Sequence, residues 1–313
     1  MKGRRNVFHK FGLVAVGLGA SIAFIAPPGD SAEEATKIDL NEEARKLFGA
    51  AKFPSAQPTR SISATPTCGC IAGAVALPIN GPYWQVMHVD RNRRYGHPIL
   101  IRYIQSFARR AHDHGWNGLL IGDMSQPRGG PMTSGHASHQ AGIDVDIWFD
   151  PMPDHLLTDE ERNVKMAPSS VLKPATNQLN PDVWNERRAQ FVRDAAQDSA
   201  VARIFVAPAI KLALSQWKDP AGQDTEWLRR LRPWWGHDDH IHVRLHCPKG
   251  EACTEQEPQP EGDGCGAELD EWLAKTANPQ ASSPDDTSPP IPLAKLPPEC
   301  LDVLKAPNKI DQH

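Results

Sequence analysis

His136 and His139 lie in the run Ser134-Gly-His-Ala-Ser-His-Gln-Ala-Gly-Ile-Asp-Val-Asp146, and His237, His240 and His242 lie in His237-Asp-Asp-His-Ile-His242, so five of the chain's thirteen histidines sit in two short segments. Histidine nitrogen and carboxylate oxygen are the donors that zinc takes in hydrolytic sites, where three protein ligands leave a fourth position for water. His139 and Asp146, with six residues between them, together with His240-Ile-His242 about a hundred residues later, read as a divided metal site of that kind. The second segment holds more histidine than a metal needs, and a surplus imidazole can carry protons. The bland alternative, two solvated polar turns, leaves the clustering unexplained. His88, His97, His112, His114 and His155 are scattered and read as ordinary residues.

The elements that must position these side chains are legible from periodicity. Gly142 to Phe149 alternates as a strand with Asp144, Asp146 and Trp148 on one side and Ile143, Val145 and Ile147 on the other. Ile241 to Leu245 does the same, with His240, His242 and Arg244 opposite Ile241, Val243 and Leu245. Two strands that each offer polar ligands on one face are what a metal centre on an antiparallel sheet requires. Parity alone does not choose ligand from helper within Asp144/Asp146 or His240/His242. Pro98 opens a helix to residue 114, stopped by Gly115; Gly118 to Gly122 is a short buried strand. A helical block follows over Trp184 to Gln197, then a strand at Arg203 to Val206 and a Pro208-started helix to about Trp217. A short helix spans Glu268 to Lys275. The glycine- and proline-rich stretch Asp123 to Gly135 is a loop able to carry a binding surface. Trp148, Trp234 and Trp235 read as packing residues or as the lining of a peptide groove. The fold class is α+β: an antiparallel sheet carrying a zinc site, flanked by helices and long loops.

Composition narrows the functional classes. A net charge of -4 with no long basic run excludes a nucleic-acid footprint. There is no Gly-x-Ser-x-Gly elbow, phosphate loop or His-Glu-x-x-His helix. A serine triad built from Ser138 would leave the other histidines idle. Lys2, Arg4, Arg5 and Lys10 precede the apolar run Phe11 to Ala26, which is shorter than the roughly 20 residues of a spanning helix. Residues 1–32 therefore read as a signal peptide, with no stable membrane span after its removal. Six cysteines suit an oxidising compartment. Cys247 and Cys253 can close a short loop after the second histidine segment, and a lone Cys68-Gly-Cys70 is weak support for a further zinc site. Residues 33–66 are a polar lead-in with a helical stretch near Leu40 to Phe48 and a Ser/Thr/Pro linker. The domain proper runs over 67–277, and 278–313 form a Pro-rich tail.

The motifs Gly122-Asp-Met, Gly129-Gly, Gly135-His-Ala-Ser-His-Gln-Ala-Gly-Ile-Asp-Val-Asp146, Arg232-Pro-Trp and His237-Asp-Asp-His-Ile-His-Val-Arg244, followed by Cys247-Pro, resemble those of the penicillin-insensitive murein endopeptidases. These belong with the lysostaphin, D-Ala-D-Ala peptidase and hedgehog-type zinc proteins, and the likeness runs from about Cys70 to Cys265. The resemblance implies a zinc-dependent endopeptidase, with one Zn2+ per chain, that uses a metal-activated water to cut peptidoglycan cross-links between D-alanine and meso-diaminopimelate. It implies a periplasmic enzyme acting on stem peptides. By the same resemblance His139, Asp146 and His242 are the zinc ligands, His240 and His237 are the catalytic histidines, and His136 and Asp144 are substrate or supporting groups. It also pairs Cys70 with Cys300, which ties back the tail, and Cys247 with Cys253. Cys265 lacks its usual partner here, so either a Cys68–Cys265 bond forms or both thiols stay free. A D,D-carboxypeptidase of the same metal class and a non-catalytic zinc-dependent wall-binding protein are the alternatives.

Overall fold

The computed structural model describes residues 38–222, 224–255, 258–277 and 290–309. The expected signal peptide, residues 1–32, and residues 278–289 of the expected tail lie outside the described residues. In chain order the elements are α1 (Ala44–Ala50), β1 (Arg60–Thr65), β2 (Cys68–Ala72), β3 (Val75–Ala76), β4 (Asn80–Gly81), β5 (Trp84–Val86), β6 (Tyr95–Gly96), α2 (Pro98–Asp113), β7 (Leu119–Ile121), β8 (Asp144–Pro151), α3 (Glu186–Ala196), β9 (Val201–Val206), α4 (Pro208–Gln216), β10 (Leu231–Pro233), β11 (His240–Leu245), α5 (Ala267–Lys275) and α6 (Glu299–Lys305).

The sheet that carries the chemistry has the order β10-β9-β11-β8-β7-β5-β4. Its centre is antiparallel, as expected, while β10 with β9 and β5 with β7 run parallel. In the β11/β8 ladder His242 faces Asp146, Arg244 faces Asp144 and His240 faces Trp148. Residues opposite each other in such a ladder point to the same side, so this register puts the polar face of one strand beside the polar face of the other. Ile241, Val243, Val145 and Ile147 turn the opposite way into the main core, where all four are buried.

Helix α2 covers that core. His97 caps its start, the ring Nδ1 accepting from the Ile99 N–H at 3.2 Å, and Pro98 takes the first turn, where no N–H is missed. Leu100, Ile104, Phe107, Ala108 and Ala111 recur at helical spacing and are buried. Trp148 is also buried, packed with Met87, Leu120 and Leu157, so it is a packing residue and lines no groove.

A second cluster joins α1, β2 and α6 through Ala44, Phe48, Cys70, Cys300 and Val303. The Cys70–Cys300 disulfide crosses it, and Arg128 donates to the carbonyls of Val303, Leu304 and Ala306. Sequence periodicity gave Arg60–Thr65 as linker, whereas the structure makes it β1, paired with β2. Ser61 and Ser63 supply no apolar alternation, but this strand is held by polar contacts. The Ser61 N–H donates to Glu251 at 2.6 Å and the Thr254 N–H donates to Ser63 Oγ at 3.1 Å. Glu251 belongs to the loop closed by the Cys247–Cys253 disulfide.

Of the two alternatives for Cys68 and Cys265, a bond between them or two free thiols, the structure has the second. Cys68 packs on the cluster around Phe48, and Cys265 packs on the main core. Denatured but unreduced protein should therefore take maleimide at Cys68 and Cys265, two sites, and at all six cysteines after reduction. Cys300→Ser should lower unfolding free energy by about 2–5 kcal/mol in denaturant titration.

Candidate metal centre

The first histidine segment reaches the sheet on a loop that is fixed from several sides. Gly129 and Gly130 have φ of 65° and 73°, and a side chain at either would strike the Gln140 carbonyl or the Phe48 ring. Gln140 holds the loop to the hairpin, donating to Thr67 O at 2.7 Å and accepting from the Gly69 N–H at 3.0 Å. Arg93 donates to Asp123 Oδ2 at 2.8 Å, and to Thr133 and Ser134 hydroxyls at 3.2 and 3.0 Å. His139 and His237 themselves have φ of 63° and 57°. That left-handed backbone is uncommon outside glycine and clusters at functional sites.

Each of the five histidines has one ring nitrogen engaged by an oxygen that can only accept. His139 Nδ1 meets Met124 O at 3.1 Å, His242 Nε2 meets Asp144 Oδ1 at 3.0 Å and His136 Nε2 meets Asp123 Oδ2 at 3.1 Å. His237 Nδ1 meets Trp235 O at 2.7 Å and His240 Nδ1 meets Asp239 Oδ1 at 2.5 Å. Those nitrogens carry the proton, and in the neutral ring the other nitrogen is a lone pair.

Three of these lone pairs converge on one carboxylate. His139 Nε2 and His242 Nδ1 are 3.3 Å apart and lie 3.3 and 3.4 Å from Asp146 Oδ1, while His136 Nδ1 is 3.4 Å from Asp146 Oδ2. His240 Nε2 stands further back, 3.7 Å from Asp146 Oδ1. With the rings neutral, Asp146 Oδ1 is a buried acceptor with no hydrogen bond, and the group calls for positive charge from ring protons or from a metal ion. Three ligands about 2.0–2.1 Å from a tetrahedral ion are themselves about 3.3–3.4 Å apart. The His139, His242 and Asp146 triangle matches that edge, so the donors present fit a small divalent metal. His136, His139 and Asp146 also form a compact group, their ligand atoms within 4.8 Å of one another.

Charge around the centre is arranged to keep the carboxylates ionised. Burial disfavours the anion of Asp146, but His139, His136 and His240 outweigh it and hold the carboxyl well below the ordinary range. Asp144 is pushed down to about 2 by Arg244 and His242 against its burial, and Asp123 to about 2 by His136 and Arg93. Burial lowers His139, and Asp146 more than reverses it. His242 is lowered by burial and by His139. The outer pair is split: burial, His240 and His242 depress His237 to about 3, whereas Asp146 and Asp239 raise His240 to about 9 against burial.

Every site residue expected from sequence is in this cluster. Sequence reasoning missed the groups behind it: Asp123 and Arg93 behind His136, Met124 O behind His139, Asp239 beside His240, and Arg244, whose Nη1 lies 3.1 and 3.2 Å from the two oxygens of Asp144. Asp123 sits inside the quoted Gly122-Asp-Met motif and Arg244 on the ligand face of its strand, so both were visible as residues without a role.

Comparison with known proteins gives a concordant result. The family described as penicillin-insensitive murein endopeptidase matches residues 63–305. The chain is 43% identical to a penicillin-insensitive murein endopeptidase of Klebsiella pneumoniae over 237 residues, covering 75% of this chain and 83% of the relative. It is 40% identical to proteins of the same name from Pectobacterium atrosepticum, over 81% of this chain and 89% of the relative, and from Haemophilus influenzae, over 82% and 87%.

If Asp144 sets the ring of His242, Asp144→Asn should weaken metal binding by about 10–100-fold while the fold is kept. A competitive chelator titration with circular dichroism as control measures both, and unchanged affinity would remove Asp144 from this role.

Proposed function

The chain belongs to the penicillin-insensitive murein endopeptidase family, and on that basis we propose that it hydrolyses the D-alanyl to meso-diaminopimelate cross-links of peptidoglycan with one zinc ion per chain. The convergence of imidazole lone pairs on Asp146 Oδ1 carries the reading. His139 Nε2, His242 Nδ1 and Asp146 Oδ1 would hold the ion, with His136 Nδ1 beside them on the other carboxylate oxygen. When bound, zinc polarises a carbonyl and brings the pKa of water from 15.7 toward roughly 7.

The chain's own groups then have separate tasks. Asp144, clamped by Arg244, fixes the His242 ring so that its Nδ1 faces inward. Met124 O does the same for His139. His240 has its Nδ1 tied to Asp239, which leaves Nε2 toward the centre. From there Nε2, kept protonated by Asp146 and Asp239, can donate to the tetrahedral oxyanion or to the departing amine. His237 is 5.0 Å from His240 between ring centroids and offers Nε2 as a second polar contact for substrate. No side-chain nucleophile is acylated on this route, so a β-lactam has nothing to trap.

Export by the 1–32 signal peptide and action in the periplasm are part of the same proposal. Two disulfides suit an oxidising compartment, and no described helix is long and apolar enough to cross a membrane.

Purified protein with zinc should convert cross-linked muropeptide dimers to monomers, resolved by chromatography, and penicillin should leave the rate unchanged. Continued turnover after exhaustive chelation would sink the metal reading. His242→Ala should lose both metal and activity. His240→Ala should keep its metal and lose about 10²–10⁴-fold in kcat, and equal metal loss in both variants would instead make His240 a ligand.

A further inference from the structure

Phe205 on β9 touches the metal centre on one side and an aromatic surface on the other. Its ring is edge-on to His242 at 5.3 Å and lies 5.8 Å from His237. It is 5.7 Å from Trp234, which lies 5.1 Å from Trp272 on α5, and Trp235 reaches the same Trp272 at 5.9 Å. Phe205, Trp235 and Trp272 are half-buried, and Trp234 is 46% exposed. A large flat ring left in solvent at the mouth of a site offers stacking area, and the hydrolytic chemistry above uses none of the three tryptophans.

We infer that Trp234, backed by Trp272 and Trp235, is a subsite that stacks an N-acetylhexosamine ring of the glycan strand while the peptide cross-link lies at the metal centre. This rests on the endopeptidase reading and adds a second recognition element to it. Charge favours sugar over peptide as the occupant. The stem peptide carries carboxylates and would seek cations, but Arg232 and Lys275 near the tryptophans are engaged, the first by Glu268 and the second by Glu271 at 2.7 Å. A hexosamine ring is neutral, presents an apolar C–H face to an indole, and needs no counter-charge. Reach agrees as well. A four-residue stem, fully extended, spans at most about 14 Å, and Trp234 is two ring contacts from His242, at 5.3 and 5.7 Å. The platform is therefore within reach of the glycan end of a stem whose scissile bond is at the centre.

The test uses the full chain and N-acetylglucosamine oligomers, which a peptidase does not consume. Saturable quenching of tryptophan emission is expected. Trp234→Ala should weaken that binding at least about ten-fold, the scale of one aromatic anchor, and Trp234→Phe should recover most of it. No binding by the parent chain, or binding indifferent to Trp234→Ala, overturns the inference. With zinc, the Ala variant should raise KM about ten-fold on cross-linked dimers that retain their sugars and less than about two-fold on dimers stripped of sugar, with kcat maintained. Equal loss on both substrates would make the platform a peptide site and overturn the inference. So would a shift from dimer to monomer in sedimentation with sugar binding unaltered, which would make it a self-contact. Sugar binding at Trp234 without cleavage of any cross-linked dimer would overturn the endopeptidase reading and leave the sugar subsite standing.

Discussion

The whole centre depends on one constraint: each imidazole is held by an acceptor on its outer nitrogen, so its remaining lone pair has a single direction. Met124 O, Asp144, Asp123, Trp235 O and Asp239 do this for His139, His242, His136, His237 and His240. Three inward ring nitrogens and the buried Asp146 carboxylate call for positive charge among them, from ring protons or from a metal ion. The sheet and the loop hold these donors together.

Two different scaffolds supply that rigidity. Asp146 and His242 face each other across the β11/β8 ladder, whose other face is apolar and buried, so a slip by one residue would turn both side chains into the core. His139 has no ladder. Its loop is pinned by Arg93, Gln140 and the close approach of Gly129 and Gly130, and Arg128 ties the same loop to α6, which the Cys70–Cys300 disulfide anchors from below. The C-terminal helix thus braces a site about 160 residues upstream of it. A loop histidine buttressed by a distant helix and strand side chains fixed by register meet at one carboxylate.

Local patterns were readable wherever a single segment decides its own structure. The α2 periodicity with Pro98 and Gly115 and the alternation of β8 and β11 follow from spacing because each needs only its own face to be buried. β1 was unreadable for the converse reason: Ser61 and Ser63 acquire their value from Glu251 and Thr254, roughly 190 residues away. The left-handed backbones of His139 and His237 carry no signal in residue type. The fate of Cys68 and Cys265 likewise depends on which cluster each packs against, a matter of place and not of cysteine count.

By itself the sequence determined the donor types, their spacing, the strand faces that carry them and, through the likeness of its motifs, the family and the expected ligand set. Tertiary structure alone decided which nitrogen of each histidine points inward, that Arg244 clamps Asp144, that Asp123 stands behind His136, and that Phe205 and Trp272 extend the site toward solvent. The division has a physical cause. Side-chain parity is fixed by backbone geometry within a strand, whereas a tautomer, an ion pair or a ring contact is fixed by a partner whose distance along the chain says nothing about its distance in space.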